Sequence, residues 1–151
     1  MIFILDRNTA ANLYLNLLVP WETVYRDIPE KGGFDIRSKE FTAYKRDNKF
    51  EIKPLNTKSE SDKEINENLS FGSEARQLAI FQIGNNSRAR SLFKHLRNSV
   101  AHAHVERLKI KNKWFLIFSA KSDDKYVLKA QIQESKLRDF IAALKSTAKN
   151  I

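Results

Sequence analysis

The chain has 151 residues, 42% hydrophobic and 30% charged, enough for one domain with a buried core. Its formal net charge of +9 points to a polyanionic partner, nucleic acid first. It has no cysteine, which excludes disulfides, thiolate metal sites and a thiol nucleophile, and fits a reducing cytoplasmic setting.

Asp6 and Arg7 cut short the apolar start, Ile2 to Leu5. No other apolar run nears the ~18 residues of a membrane span, so no signal peptide and no membrane partner are expected. Ala10, Leu13, Tyr14, Leu17 and Leu18 fall on one face of a helix that opens at Asn8 or Thr9 and ends at Val19-Pro20. Pro20 can open a second helix, with Trp21, Val24, Tyr25 and Ile28 inward and with Pro29 and Gly32-Gly33 as its stop. In Phe34 to Leu55 the apolar pairs fit either a short helix or a hairpin turning at Asp47-Asn48, and the stretch reads best as irregular structure with a short hairpin. Residues 56–70 have only Ile65 and Leu69 as apolar members and read as a surface loop or disordered insertion.

Ser73 caps a predicted buried helix through Leu78, Ala79, Phe81 and Ile83, ended by Gly84-Asn85. Asn86 or Ser87 caps the next, a basic amphipathic run to about Val105 with the stripe Ala89, Leu92, Phe93, Leu96, Val100 and Ala103. The period then changes to two. Leu108 and Ile110 alternate with lysines, Trp114 to Phe118 is continuously apolar, and Tyr126, Leu128, Ala130 and Ile132 alternate again. Turns at Asn112-Lys113 and Ser122-Asp123-Asp124 make this a three-stranded antiparallel meander. Leu137, Phe140, Ile141, Leu144 and Ala148 form a last helix. The expected fold class is α+β: a helical body over about residues 8–105, then meander and helix over about 106–149.

The densest chemistry lies in Arg97-Asn98-Ser99-Val100-Ala101-His102, which gathers a phosphate-binding guanidinium, an amide and an imidazole within two helical turns. At about 100° per residue, Asn98 and His102 share a face, as do His95 and His102, whereas Arg97 lies roughly 140° round from His102. One straight helix therefore aims Arg97 and His102 poorly at one atom, and either a helix break near Arg97 or two copies of the chain would bring them together. His102 and His104 form a His-x-His pair, but a helix splays the two and no acidic cluster accompanies them, so neither a metal site nor a cofactor is expected. Arg88, Arg90, Lys94 and Arg107 surround the motif with positive charge suited to an RNA backbone.

These residues resemble the signature of the HEPN superfamily, small α-helical domains that include metal-independent ribonucleases and toxins. Arg97, Asn98 and His102 match its Arg-Asn-three-residues-His form, which arises by chance in on the order of one in a hundred chains of this length. The resemblance implies a mainly helical HEPN-like bundle, here followed by the meander and a C-terminal helix, with residues 1–151 as a single domain. It also implies a homodimer whose two motifs face each other, so that two His102 side chains serve as base and acid in transesterification of RNA while Arg97 clamps the phosphate and Asn98 orients its neighbours. His104 and His95 are the reserve catalytic candidates. RNA is then the partner, with a cognate antitoxin protein as a further candidate for a toxin or defence effector. The alternatives are a non-catalytic RNA- or nucleotide-binding module, in which Trp114 or Tyr126 could stack bases, and an antitoxin-like interaction protein.

Overall fold

Hydrophobic runs that a helix and a strand could equally claim are settled here by a single large sheet. The computed structural model describes residues 2–3, 5–28, 33–84 and 87–148, the side chains of Ile2 and Phe3 excepted. Six strands form that sheet: β1 (Ile2–Phe3), β2 (Glu51–Leu55), β3 (Leu78–Gln82), β4 (Val105–Ile110), β5 (Lys113–Ser122) and β6 (Lys125–Gln133), in the order β1-β4-β5-β6-β3-β2. Every neighbouring pair is antiparallel except β2 with β3. Six α-helices accompany it among the described residues: α1 (Arg7–Leu13), α2 (Val19–Thr23), α3 (Lys39–Asp47), α4 (Lys58–Glu67), α5 (Arg88–Ala101) and α6 (Leu137–Lys145). None is long and apolar enough to cross a membrane.

This mixed sheet corrects the expected fold of a helical bundle followed by a three-stranded meander. β4, β5 and β6 do pair in succession, but as the middle of a sheet completed by β1 at one edge and β3 and β2 at the other. The expected helix from Ser73 is also corrected: Leu78–Gln82 is a strand. Leu78, Ala79, Ile80 and Phe81 are buried because both faces of β3 are covered, and a strand covered twice shows no alternation. The loop expected at 56–70 holds α4, whose Thr57 hydroxyl accepts from the Glu60 N–H at 3.2 Å and whose Ile65 is buried. Its polarity reflects a helix with one thin buried face. The expected hairpin at Asp47-Asn48 is instead the end of α3, capped at its start by Ser38, followed by edge strand β2. Pro54 lies on that edge, where a missing donor is tolerated.

At the N-terminus the helix does not stop at Pro20. A π-helical stretch, Tyr14–Leu18, joins α1 to α2. Such a wider turn accommodates a proline that would clash with the ordinary i−4 carbonyl. It also rotates the face: Leu13, Leu17 and Trp21 are buried, whereas Tyr14 is 53% exposed. The second predicted helix ends early, at Thr23, with a 3-10 turn over Tyr25–Asp27. Its stop at Pro29 and Gly32 lies outside the described residues.

The main core lies between one sheet face (Phe81, Leu116, Phe118, Leu128, Ala130, Ile132) and the helices, led by Leu13, Leu17, Trp21, Phe41, Leu92, Phe93, Leu96 and Phe140. On the opposite face Ile65 of α4 packs with Leu78 and Ile80. The motif helix α5 is thus held between β3, β5 and the N-terminal helices.

Candidate functional site

α5 starts at Ser87, whose hydroxyl accepts from the Arg90 N–H at 3.1 Å, and runs unbroken to Ala101. Its buried residues are Ala89, Ser91, Leu92, Phe93, His95, Leu96 and Ser99, so the apolar stripe is continued by Ser99 and not by Ala103, which is exposed. Phe93 packs on the rings of Trp21 (5.5 Å between centroids) and Tyr25 (4.7 Å). That packing sets α2 beside the motif and brings Glu22 to Arg97.

The helix does not break near Arg97. It ends in a Schellman turn at the motif's last residue: the Ala103 N–H donates to the Val100 carbonyl at 3.1 Å and the His104 N–H to the Ser99 carbonyl at 2.8 Å. Ala103 carries the left-handed conformation of such turns, φ 57°, without being glycine. Ser99, fully buried, fastens the turn to β5, its hydroxyl donating to the His104 carbonyl at 2.8 Å and accepting from the Ser119 N–H at 3.1 Å. His102, the C-cap residue, and His104 both stand exposed, their ring centroids 6.2 Å apart.

Arg97 is half-buried and doubly held: one guanidinium nitrogen donates to Asn98 Oδ1 at 2.7 Å, another to the Glu22 carboxylate. Its Nε is buried without a partner among the described residues. Glu22 also meets Arg26 at 3.3 Å. Asn98 therefore orients Arg97. The sequence reading missed Glu22, although its position one residue after buried Trp21 was the available signal.

The remaining candidates separate. His95 is buried, and its Nε2–H donates to the Gln82 carbonyl of β3 at 2.8 Å while Nδ1 has no partner among the described residues. Burial holds its pKa below the usual imidazole value. It faces the sheet, apart from His102. Arg90 lies over the Trp21 ring (5.1 Å) and donates to the Arg26 carbonyl at 3.3 Å. Arg107 makes a two-pronged pair with Glu134, which raises its pKa, and stacks 3.8 Å from the Trp114 ring. Both guanidinium groups are thus engaged by groups of the fold. Arg88 and Lys94 are exposed on α5, but Arg88 starts the helix, about 21 Å along the axis from His102. Among the described residues no group of three His, Cys, Asp or Glu side chains is placed to hold a metal ion.

A helix-end turn presenting imidazoles beside a pre-oriented arginine, on a helix packed in an α+β domain, is the setting in which family likeness can be judged. The family model described as HEPN pEK499 p136 matches residues 3–151. The chain belongs to that family, and its HEPN-type domain spans nearly the whole sequence. No curated protein and no solved structure matches it.

Proposed function

We propose that the protein is a metal-independent endoribonuclease acting as a homodimer in the cytoplasm, with Arg97, Asn98 and His102 as its catalytic set and a toxin or defence effector as its role. The observation that carries this reading is the arrangement at the end of α5: Arg97 is fixed by Asn98 at 2.7 Å while His102 stands exposed five residues on. The continuous helix leaves those two side chains diverging, so a shared site calls for two copies related by a twofold axis.

One His102 takes the proton of a ribose 2′-OH, and that oxygen attacks the adjacent phosphorus. The P–O5′ bond breaks, the second His102 protonates the leaving oxygen, and the products are a 2′,3′-cyclic phosphate and a 5′-hydroxyl. An imidazole can accept a proton at one ring nitrogen or donate one, so the same residue type serves both steps. Arg97 holds the phosphate oxygens and offsets the charge that grows in the transition state. His104, 6.2 Å from His102, is the reserve donor.

The test is purified protein with RNA in EDTA. Cyclic phosphate ends that vanish with His102→Ala and with Arg97→Ala support the assignment, and activity retained in His102→Ala removes the base. A second reading is favoured by the Glu22 contact, which already occupies Arg97: the motif then braces a non-catalytic RNA-binding module. Salt-sensitive RNA binding with no cleavage selects it.

A further inference from the structure

Beside the motif turn, on the sheet face opposite α5, is a pocket of about 310 Å³ lined by His104, Glu106, Ser119, Lys121 and Tyr126. That is the lower end of small-ligand pockets, ~300 Å³, and suits a nucleobase. The pocket is built by a register shift. β5 and β6 pair regularly from Phe115 to Ala120, then shift so that Lys121 pairs with Tyr126. Val127 is the extra residue. It joins Leu128 in the main core and turns Tyr126 to the other face, where Lys121 already stands by the alternation of β5 after Ala120. Helix α4 fixes Tyr126 by its backbone, Asp62 accepting its N–H at 2.9 Å and buried Ser61 donating to its carbonyl at 2.6 Å. The Lys121 ammonium lies 4.6 Å from the Tyr126 ring and that of Lys129 5.6 Å. Glu106 makes no salt bridge among the described residues.

We propose that this pocket binds a guanine base of single-stranded RNA next to the cleaved linkage, a specificity site that rests on the RNA reading above. Guanine alone among the bases sets two donors, N1–H and N2–H, side by side, and a carboxylate such as Glu106 accepts both. Its O6 and N7 acceptors suit the Lys121 ammonium. Adenine puts an acceptor where Glu106 needs a donor, and uracil offers a single donor. Unpaired bases are read in this way, on the Watson–Crick edge with an aromatic wall alongside. His104 lines the pocket, and the 6.2 Å from its ring to that of His102 is a step that one nucleotide spans.

The experiment uses uncleavable 2′-fluoro oligonucleotides of eight uridines with one central guanosine or adenosine, titrated by fluorescence anisotropy. The full-length protein is expected to bind the guanosine oligomer about tenfold more tightly. Glu106→Gln and Lys121→Met, which lie at exposed positions, are expected to bring that preference within about twofold, the ratio of the two oligomers' affinities being the readout. Equal affinity for both oligomers in the parent protein overturns the proposal, as does a guanosine preference intact in both variants. Guanosine preference without cleavage of ordinary RNA leaves the pocket standing and removes the nuclease. Cleavage without guanosine preference does the reverse.

Discussion

Arg97 meets Glu22 across α5 and α2, and both side chains are only partly exposed, 27% and 35%. Partial exposure limits the pair to about 1 kcal/mol. Glu22→Gln and Arg97→Ala should each lower stability by about that much in urea denaturation, and the double variant should lose little more than either. Full additivity would show that the pair is not coupled. In RNA cleavage Glu22→Gln should raise KM or lower kcat modestly, since Asn98 still holds the guanidinium. His95 makes a second prediction. Its buried Nδ1 has no partner among the described residues, so protonation would place both a charge and an unsatisfied donor in the core. Its pKa is depressed in the folded chain, so below about 6.5 the unfolded chain binds more protons and stability falls with pH. Tm should therefore drop between pH 7.5 and 5.5 more in the parent than in His95→Gln, and equal drops would mean that this histidine does not titrate on unfolding. From the sequence, His95 is simply a histidine seven residues before His102 on one helical face. What separates their fates is β3 lying against the first and the helix ending at the second, and neither is written in local spacing.

At the scale of elements, the end of α5 carries the most consequence. Ala103 adopts φ 57°, where a Cβ is disfavoured and glycine is the usual choice. Ala103→Gly should stabilise the fold by about 0.5 kcal/mol net of glycine's greater unfolded-state freedom, and Ala103→Val should destabilise it by more than about 1 kcal/mol. Ser99→Ala removes the hydroxyl that joins the turn to β5 and should cost about 1–3 kcal/mol. Chemical denaturation of the three variants orders them, and a gain in stability from Ala103→Val would contradict the turn geometry. The start of α5, α6 and the strands within 105–133 are legible in the sequence because each pairs a clear period with turn or cap residues close by, but the expected run of helix to Val105 is not met: α5 ends at Ala101 and Val105 opens β4. The sequence reading failed where burial comes from two sides or from one thin contact. Leu78–Phe81 is apolar throughout because both faces of β3 are covered, so its period vanishes. α4 touches the sheet through few residues, Ile65 and Ser61 buried among them, and its polar composition looked like a loop. The π turn at Tyr14–Leu18 moved Tyr14 out of a face where 3.6-residue spacing had placed it.

For the whole molecule, the six-residue signature led to a family that spans residues 3–151, yet the sheet order was beyond reach of the sequence. β3 joins β6 only after the 42 intervening residues 83–124, and β2 reaches β3 in parallel through α4, so no local turn records either pairing. The same distinction applies to function. The motif residues are legible along one chain, but the helix runs straight between Arg97 and His102, so under the proposed mechanism their cooperation needs two chains. That has a quantitative consequence. If each site needs His102 from both copies, parent protein mixed and equilibrated with His102→Ala protein should lose activity as the square of the parent fraction, since only parent–parent dimers keep both imidazoles. An equal mixture at fixed total protein should retain about a quarter of the parent rate, whereas independent monomers would retain about half. The mixture must first pass through dissociating concentrations so that subunits exchange, and light scattering should report a dimer throughout the assay range. A linear loss with dimers present would mean that one histidine suffices per site, and it would pass the acid role to His104 of the same chain, 6.2 Å away.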